Sequence, residues 1–377
     1  MIPPSDHEVK SAGDDSLLPT FHKAEPPNIP PQATAEDALA AIVLSGVEHL
    51  RANESCVLAR AHDEGIHQMR VAVRRLRSCL ALYDEMLPPQ QAAYLSGELR
   101  WLIGELGPAR DWDVFLADTL ASVMRSITGE KTLKDLRQAA EEKRDVAYER
   151  AEAALRSQRY LGLVMLLGAW AEGRRWHDPG TEPAARPEAM GELAETVAHA
   201  LLDKRYADVR HAGRRFAALS AEGRHKLRIQ IKKLRYATEF FGCLYPRDAL
   251  VAYLEDLKGL QDQLGVANDI EVARRLVKEI VQPLKGKPRA KLSYAAGVVV
   301  GWHSHVATDR EKRLRLAWRR FIRRAPFWQG GGTAKAAEAA LAPALALATP
   351  AFAASAPTRS AAPATRRPSQ VRDRTRT

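Results

Sequence analysis

Apolar residues recur with the period of an α-helix over most of the chain between about residues 34 and 328. The first segment spaces its apolar positions by three and four residues, at Leu39, Ile42, Val43, Gly46, Val47 and Leu50. Thr34 precedes it as a candidate N-cap, and Asp37 stands three residues later, where a capping-box partner belongs. No run of alternating β-branched residues indicates a strand. The pattern therefore predicts an all-α fold.

Three stretches flank or interrupt the helical pattern. Residues 1–33 are rich in proline and acidic residues and lack an apolar period, which predicts a disordered N-terminal tail. The stretch HDPGTEPAARP ends at residue 187 and predicts a linker between two halves, at about 34–176 and 188–328. Residues 329–377 are rich in Ala and Pro with scattered arginines, and we expect a disordered basic tail.

Two segments of the chain are similar at a constant separation of 158 residues. Residues 64–77 read EGIHQMRVAVRRLR and residues 222–235 read EGRHKLRIQIKKLR. The register continues to LGPARDWDV (106–114) and LGVANDIEV (264–272), and it pairs Arg100 with Lys258. One short match could arise by chance, whereas a register held over about fifty residues indicates an internal duplication. We therefore expect two pseudo-symmetric halves, each a four-helix bundle.

The repeated motif places cations along one side of a helix in each half. At about 100° per residue, the four cationic positions of each motif fall within an arc of about 80° that borders the apolar, core-facing arc. The first stripe is His67, Arg70, Arg74 and Arg77, and the second stripe is His225, Arg228, Lys232 and Arg235. If a pseudo-twofold axis relates the halves, both stripes could line one basic groove or pore.

The charge balance favours an acidic partner. The formal net charge is +11, so the candidate classes are nucleic acid, an anionic membrane surface and a phosphate polymer. Arginine can bind phosphate oxygens through two parallel hydrogen bonds, lysine offers a point charge, and a histidine near phosphates tends to be protonated. A solvated basic helix face is the simplest explanation for one stripe. Two stripes with the same order of cations favour a polyanion site.

The paired motifs HxxRVxxRRLR and HxLRIxxKKLR, each followed by LGxxxDxxV, resemble the CHAD family, the conserved histidine α-helical domain. The resemblance covers roughly residues 35–328. It implies two four-helix bundles around a basic pore that binds inorganic polyphosphate, and association with polyphosphate granules or polyphosphate-metabolising enzymes. By position it implies that the eight residues of the two stripes bind polyphosphate. Arg75, Lys233, Arg100 and Lys258 are additional candidates, of which Arg75 and Lys233 rotate away from the stripes.

The predicted function is non-catalytic polyphosphate binding, without a cofactor or a metal. The chain has no Walker lysine loop, GxGxxG, HExxH or Gly-x-Ser-x-Gly motif. A polyphosphate-processing enzyme would need carboxylates that hold Mg²⁺ or an activated nucleophile, and the stripes supply only cations. The alternative is a non-specific nucleic-acid-binding protein that uses the basic surface and the C-terminal tail.

Two further expectations concern individual residues and location. Asp111 and Asp269 each follow a Leu-Gly pair, which predicts a local helix break with an Asp cap or an internal arginine partner. The three cysteines form no CxxC pair, the first residues carry no secretory signal, and the longest apolar runs are too short to span a bilayer. We therefore expect a cytoplasmic protein, with polyphosphate granules as a candidate location, and no membrane partner.

Overall fold

The computed structural model describes residues 18–180, 182–308 and 311–329, and this part of the chain is all-helical, as predicted. An isolated antiparallel bridge between Thr34 and Leu193 is its only β-type pairing among the described residues. The helices are α1 (Ala35–Ala52), α2 (Glu54–Leu58), α3 (Asp63–Leu82), α4 (Pro89–Val114), α5 (Ala121–Ser126), α6 (Lys131–Leu155), α7 (Gln158–Glu172), α8 (Ala194–Ala212), α9 (Ala221–Phe241), α10 (Arg247–Val281), α11 (Gly286–Thr308) and α12 (Glu311–Arg323). A π-helical turn, Phe115–Leu120, joins α4 to α5.

The start of α1 follows the capping pattern of its sequence. The backbone N–H of Asp37 donates to Thr34 Oγ1 at 3.3 Å, and the backbone N–H of Thr34 donates to Asp37 Oδ2 at 2.8 Å. These reciprocal bonds lower the pKa of Asp37 and satisfy two donors that have no partner inside the helix. Leu39 and Leu50 are fully buried. The predicted N-terminus of the first helix is therefore confirmed.

The helices pack into two groups that follow the chain order. In the first group α3 contacts α1 and α4, α4 contacts α6, and α7 packs on α1. In the second group α9 lies between α8 and α10, and α10 carries α11 and α12. Each group therefore contains five helices of thirteen or more residues in the described chain, one more than the predicted four-helix bundle. The difference arises because each group has one additional helix: α7 packs on α1 in the first group, and α12 packs on α10 in the second.

The two groups share one continuous apolar core. Helix α1 contacts α8, α3 contacts α9, and α6 contacts α11. The α3–α9 contact contains a buried ion pair between Arg75 Nη1 and Glu239 Oε2 at 2.8 Å. Glu239 Oε1 also accepts from Arg235 Nε at 2.8 Å, so one carboxylate neutralises a cation from each helix. This pairing fixes the relative rotation of the two helices that carry the stripes.

The prediction of a disordered N-terminal tail is wrong for residues 18–33. This segment is not helical, but it packs on the core and buries Ile29. The backbone N–H of His22 donates to Asn53 Oδ1 at 2.9 Å, and Asn53 Nδ2 donates back to the His22 carbonyl at 2.9 Å. The side chain of Asn53, which lies between α1 and α2, thus holds this non-helical segment against the rest of the fold. The remainder of that tail, and residues 330–377, lie outside the described residues.

Two expectations about the chain as a whole concern its apolar runs and its thiols. Within the described ranges, no helix combines the length and the apolar character that crossing a bilayer requires. Cys56 and Cys79 are buried and Cys243 is partly buried, and all three are free thiols. Burial raises the pKa of the Cys56 and Cys243 thiols, so both remain protonated and behave as small apolar side chains.

Candidate functional site

Helices α3 and α9 carry the two stripes, and their apolar residues determine which way the stripes face. The first turn of α3 is capped by the ring of His62, whose Nδ1 accepts from the backbone N–H of Glu64 at 2.9 Å. Ser220 Oγ caps α9 in the same way through Gly223. The core side is fully buried on both helices, at Met69 on α3 and Leu227 on α9. The residues of the two stripes are half-buried, apart from His225, which is exposed.

The stripes approach each other across the α3–α9 contact. Lys232 on α9 has its pKa lowered to about 7, first by burial and then by the charges of Arg74, Arg228, Arg235 and Arg70. Two of these arginines belong to α3, so cations of both stripes act on one lysine. We name the group formed by His67, Arg70, Arg74, Arg110, Arg228, Lys232 and Arg235 the cationic cluster.

His67 is neutral when the cationic cluster holds no anion. Its pKa is lowered to about 3, mainly by burial and further by Arg110, Arg74, Arg70 and Arg235. An imidazole in this position donates one hydrogen bond and accepts another. An anion between the cations would oppose their field and raise the pKa of His67. The protonated ring that we expect beside phosphates therefore applies to the anion-bound protein and not to the free one.

Several donors of the stripes have no partner. The Nε atoms of Arg70, Arg74, Arg77 and Arg228 are buried and make no hydrogen bond. Arg74, Arg77 and Lys232 also form no ion pair with any described residue. A buried donor without a partner costs about 1–3 kcal/mol, and neighbouring like charges add to that cost. Donors and charges of this kind are satisfied by a ligand that brings several anionic oxygens at once.

Arg70 is held in place by α4 and α10. Its Nη2 lies 3.8 Å from Asp111 Oδ1, and Asp111 Oδ2 accepts from Arg275 Nη2 at 2.6 Å. The internal arginine partner predicted for Asp111 is therefore confirmed. The predicted helix break is wrong, since α4 continues through Asp111 to Val114 and α10 runs unbroken past Asp269. The role expected of Asp269 stays a prediction.

Gly107 provides the space that the Arg70 guanidinium occupies. A Cβ atom at this position would lie 2.7 Å from Arg70 Nη1, closer than a real Cβ contact allows. Gly107 precedes Asp111 by four residues on α4, so both face Arg70. In the first copy of the motif, the glycine of the Leu-Gly pair thus permits close approach of an arginine and does not end the helix.

Comparison with known proteins identifies the fold family. The CHAD domain matches residues 41–278 of this chain. The chain belongs to the CHAD domain family. The crystal structure of the CHAD domain from the plant Ricinus communis is 30% identical, with a TM-score of 0.67, over 80% of this chain and 96% of that one. The resemblance inferred from the paired motifs is confirmed, and it places this protein in a polyphosphate-related family.

Other relatives of this CHAD protein are more distant. PptA from Streptomyces chartreusis is 18% identical with a TM-score of 0.56, covers 76% of this chain and all of its own, and supports the fold alone. The uncharacterized proteins MT2285 and Rv2226 of Mycobacterium tuberculosis are each 28% identical over 331 residues, or 84% of this chain. The chain spans 58% of the length of these two curated relatives.

The four additional residues predicted to bind polyphosphate lie in different environments in this CHAD chain. Arg75 is buried, paired with Glu239, and its guanidinium lies 5.1 Å from the centre of the Phe240 ring. Arg75 therefore lies outside the cationic cluster, because one helical step from Arg74 turns it into the α3–α9 interface. Arg100 is exposed, and its charge contributes to the lowered pKa of Arg77. Lys233 and Lys258 are half-buried outside the cationic cluster.

Arg110, in the motif LGPARDWDV, was not among the site residues predicted from the sequence. Of the charges acting on His67, that of Arg110 lowers its pKa most. One indication of its role was present in the sequence, since Arg110 immediately precedes Asp111 in the repeated motif. The second half has Asn268 at the corresponding position, so the repeat did not identify Arg110 as a cation shared by both halves. Among the described residues, no group of three or more His, Cys, Asp or Glu side chains is arranged to hold a metal ion.

Alanine at position 107 tests how Gly107 positions Arg70. We expect Gly107→Ala to displace the guanidinium from Asp111 and to weaken binding of a phosphate polymer at least severalfold, while the helix itself gains up to about 1 kcal/mol. Gly104→Ala is the matched control, because Gly104 lies on the same helix with open space around it. Titration and thermal unfolding of both variants check the expectation. Equal affinities for the two variants would contradict it.

Proposed function

We propose that this CHAD domain binds inorganic polyphosphate in the cationic cluster and catalyses no reaction on it. The convergence of the two stripes on Lys232 is the observation that carries the proposal. Cations from α3, α4 and α9 act on one another there, and four stripe arginines keep a buried Nε without a partner. A linear chain of phosphates offsets the repulsion along its length and supplies acceptors to separate donors.

The proposal includes an internal duplication around the cluster. Helices α3 and α9 begin at Asp63 and Ala221, and α4 and α10 begin at Pro89 and Arg247, each pair 158 residues apart. This agreement supports two related halves that face each other at the α3–α9 contact. In such an arrangement a polyphosphate chain meets similar cations from both sides, and association with polyphosphate granules or with polyphosphate-metabolising enzymes follows from the same binding.

The absence of catalysis is part of the proposal. Asp111 is the carboxylate that contacts the first stripe, and it is already engaged by Arg70 and Arg275. His67 is neutral, and it is surrounded by cations instead of a carboxylate that would orient it as a general base. We expect purified protein to release no phosphate from polyphosphate with or without Mg²⁺. Phosphate release that is lost in His67→Ala would overturn this part of the proposal.

Binding should depend on the length of the phosphate chain. We expect long-chain polyphosphate to bind more tightly than tripolyphosphate, because a long chain contacts more of the stripe cations at once. The double variant Arg70→Gln/Arg228→Gln should reduce the affinity for the long chain by 100-fold or more, from about 1.5–3 kcal/mol for each charged hydrogen bond. Calorimetric titration measures both effects.

A double variant on α6 is the control for this titration. Lys134 and Arg137 are exposed on α6, where Arg137 pairs with Glu141 at 2.8 Å. Lys134→Gln/Arg137→Gln removes the same charge as the cluster variant and should leave the affinity within about twofold. Equal losses in the two double variants would mean that net charge, and not the cationic cluster, holds the polymer. Indifference to chain length would also contradict the proposal.

A further inference from the structure

More than half of the net charge of the chain is concentrated in one short segment. Residues 311–324 contain seven lysines and arginines and one glutamate, a net of six positive charges against +11 for the whole protein. Helix α12 occupies this segment and packs on α10. It is separate in sequence from the motifs of the cationic cluster, so its charge calls for an explanation of its own.

The apolar side of α12 is fully used inside the fold. Phe321 is completely buried and Leu314 is 4% exposed. The Trp318 ring stacks on Phe216 with 4.9 Å between centroids and 7° between planes. These contacts fix the rotation of the helix, so the opposite side must face solvent.

Cations form a row on that outer side. Lys312, Arg319 and Arg323 are exposed, and spacings of seven and four residues align them within about 60° of helix surface. Leu316 lies in the same row and is 63% exposed. The row is about 16 Å long at 1.5 Å per residue. We name Lys312, Leu316, Arg319 and Arg323 the α12 row.

The α12 row differs from an ordinary solvated face in its partners. Arg320 and Arg324 both pair with Asp256, but Lys312, Arg319 and Arg323 form no ion pair with any described residue. The exposed side of α6 shows the ordinary pattern, where carboxylates such as Glu141 alternate with the cations and pair with them. Unpaired cations in a straight row produce a positive potential that attracts an extended anion.

The shape of this surface selects among anionic partners. A helix that binds at a membrane surface buries its apolar side in the lipid, and α12 has already buried that side in the protein. The cationic cluster offers half-buried donors to a slender chain, whereas the residues of the α12 row are exposed on the outer side of the helix. A stiff double helix can lie along such a row with its phosphates facing the cations.

We propose that the α12 row binds the phosphate backbone of double-stranded nucleic acid without reading its sequence. The row supplies three positive charges and one apolar side chain and has no amide or carboxylate for base recognition. This surface acts independently of the polyphosphate site, because it shares no residue with the cationic cluster.

The salt dependence of duplex binding tests the proposal in the full chain. The probe is a mixed-sequence DNA duplex of about 20 base pairs, titrated at several salt concentrations between about 50 and 200 mM. Arg319→Gln/Arg323→Gln should reduce the slope of log K against log salt by about 1.8, since each phosphate contact contributes about 0.9. Lys134→Gln/Arg137→Gln on α6 is the control of equal charge and should leave the slope unchanged.

Two parallel titrations distinguish the sources of phosphate. Long-chain polyphosphate should bind the α12 variant as tightly as the wild type. If the variant loses the same affinity for polyphosphate as for the duplex, α12 is an extension of the cationic cluster and the proposal is overturned. Vesicles of phosphatidylglycerol should bind the wild type and the α12 variant equally. A variant that loses vesicle binding but keeps the duplex slope would assign the surface to a membrane and overturn the proposal as well. Failure here leaves the Arg70→Gln/Arg228→Gln result unaffected.

Discussion

Arg74→Gln is expected to weaken polyphosphate binding by about 10- to 100-fold and at the same time to raise the melting temperature of the anion-free protein. The loss of affinity follows from about 1.5–3 kcal/mol for a charged hydrogen bond to phosphate. The gain in stability follows because Arg74 has a buried Nε without a partner and repels Lys232. Removing an unsatisfied donor of this kind should stabilise the fold by about 1 kcal/mol.

The opposite signs of the two effects make this variant informative. Substitution of a residue with a structural role lowers the stability of the protein. We expect this for Glu239→Gln, which would leave buried Arg75 and half-buried Arg235 without their shared carboxylate. Thermal unfolding without anion and calorimetric titration with long-chain polyphosphate measure the two quantities on the same samples. A lower melting temperature for Arg74→Gln would show that Arg74 stabilises the fold and would contradict its assignment to the anion site.

Polyphosphate binding should take up protons and weaken as the pH rises above 7. The pKa of Lys232 is about 7 without an anion, because burial and the neighbouring arginines disfavour its charged form. Bound phosphate favours that form and raises the pKa. The complex therefore holds more protons than the free protein above pH 7, and the affinity should fall by up to about tenfold per pH unit in that window.

Calorimetry in buffers of different ionisation enthalpy counts the protons that are taken up. Lys232→Met keeps the volume of the side chain but cannot titrate, so its binding should be weaker at pH 7 and nearly independent of pH between 7 and 9. Arginines do not titrate in this range, and His67, with a pKa of about 3, contributes only if the anion raises that pKa by several units. Undiminished proton uptake in Lys232→Met would assign the protons to another group.

The sequence predicted the stripes better than it predicted their surroundings. Helical periodicity and the repeat of 158 residues were sufficient to place His67, Arg70, Arg74 and Lys232 on helix sides that border the core, because local geometry decides that. Tertiary packing decides the rest. Arg75 follows Arg74 directly, yet only the position of Glu239 on another helix shows that Arg75 is buried and paired.

The same distinction explains the two errors at α4 and at the N-terminus. A Leu-Gly pair is compatible with a helix end, and only the position of the Arg70 guanidinium shows that Gly107 serves close packing instead. Residues 18–33 have no period because they form no regular element. Their order depends on hydrogen bonds to Asn53 and on burial of Ile29, which are contacts between distant parts of the chain.

The packed N-terminal segment also affects what counts as the domain. The family match begins at residue 41 and ends at residue 278, but Ile29 and Trp328 both lie in the common core, and Trp328 Nε1 donates to Asp203 Oδ1 at 2.8 Å. A fragment cut at the limits of the match would expose apolar surface at both ends and lose α11 and α12. The packed core is therefore wider than the segment that the family model matches, since it includes Ile29 before that segment and Trp328 after it.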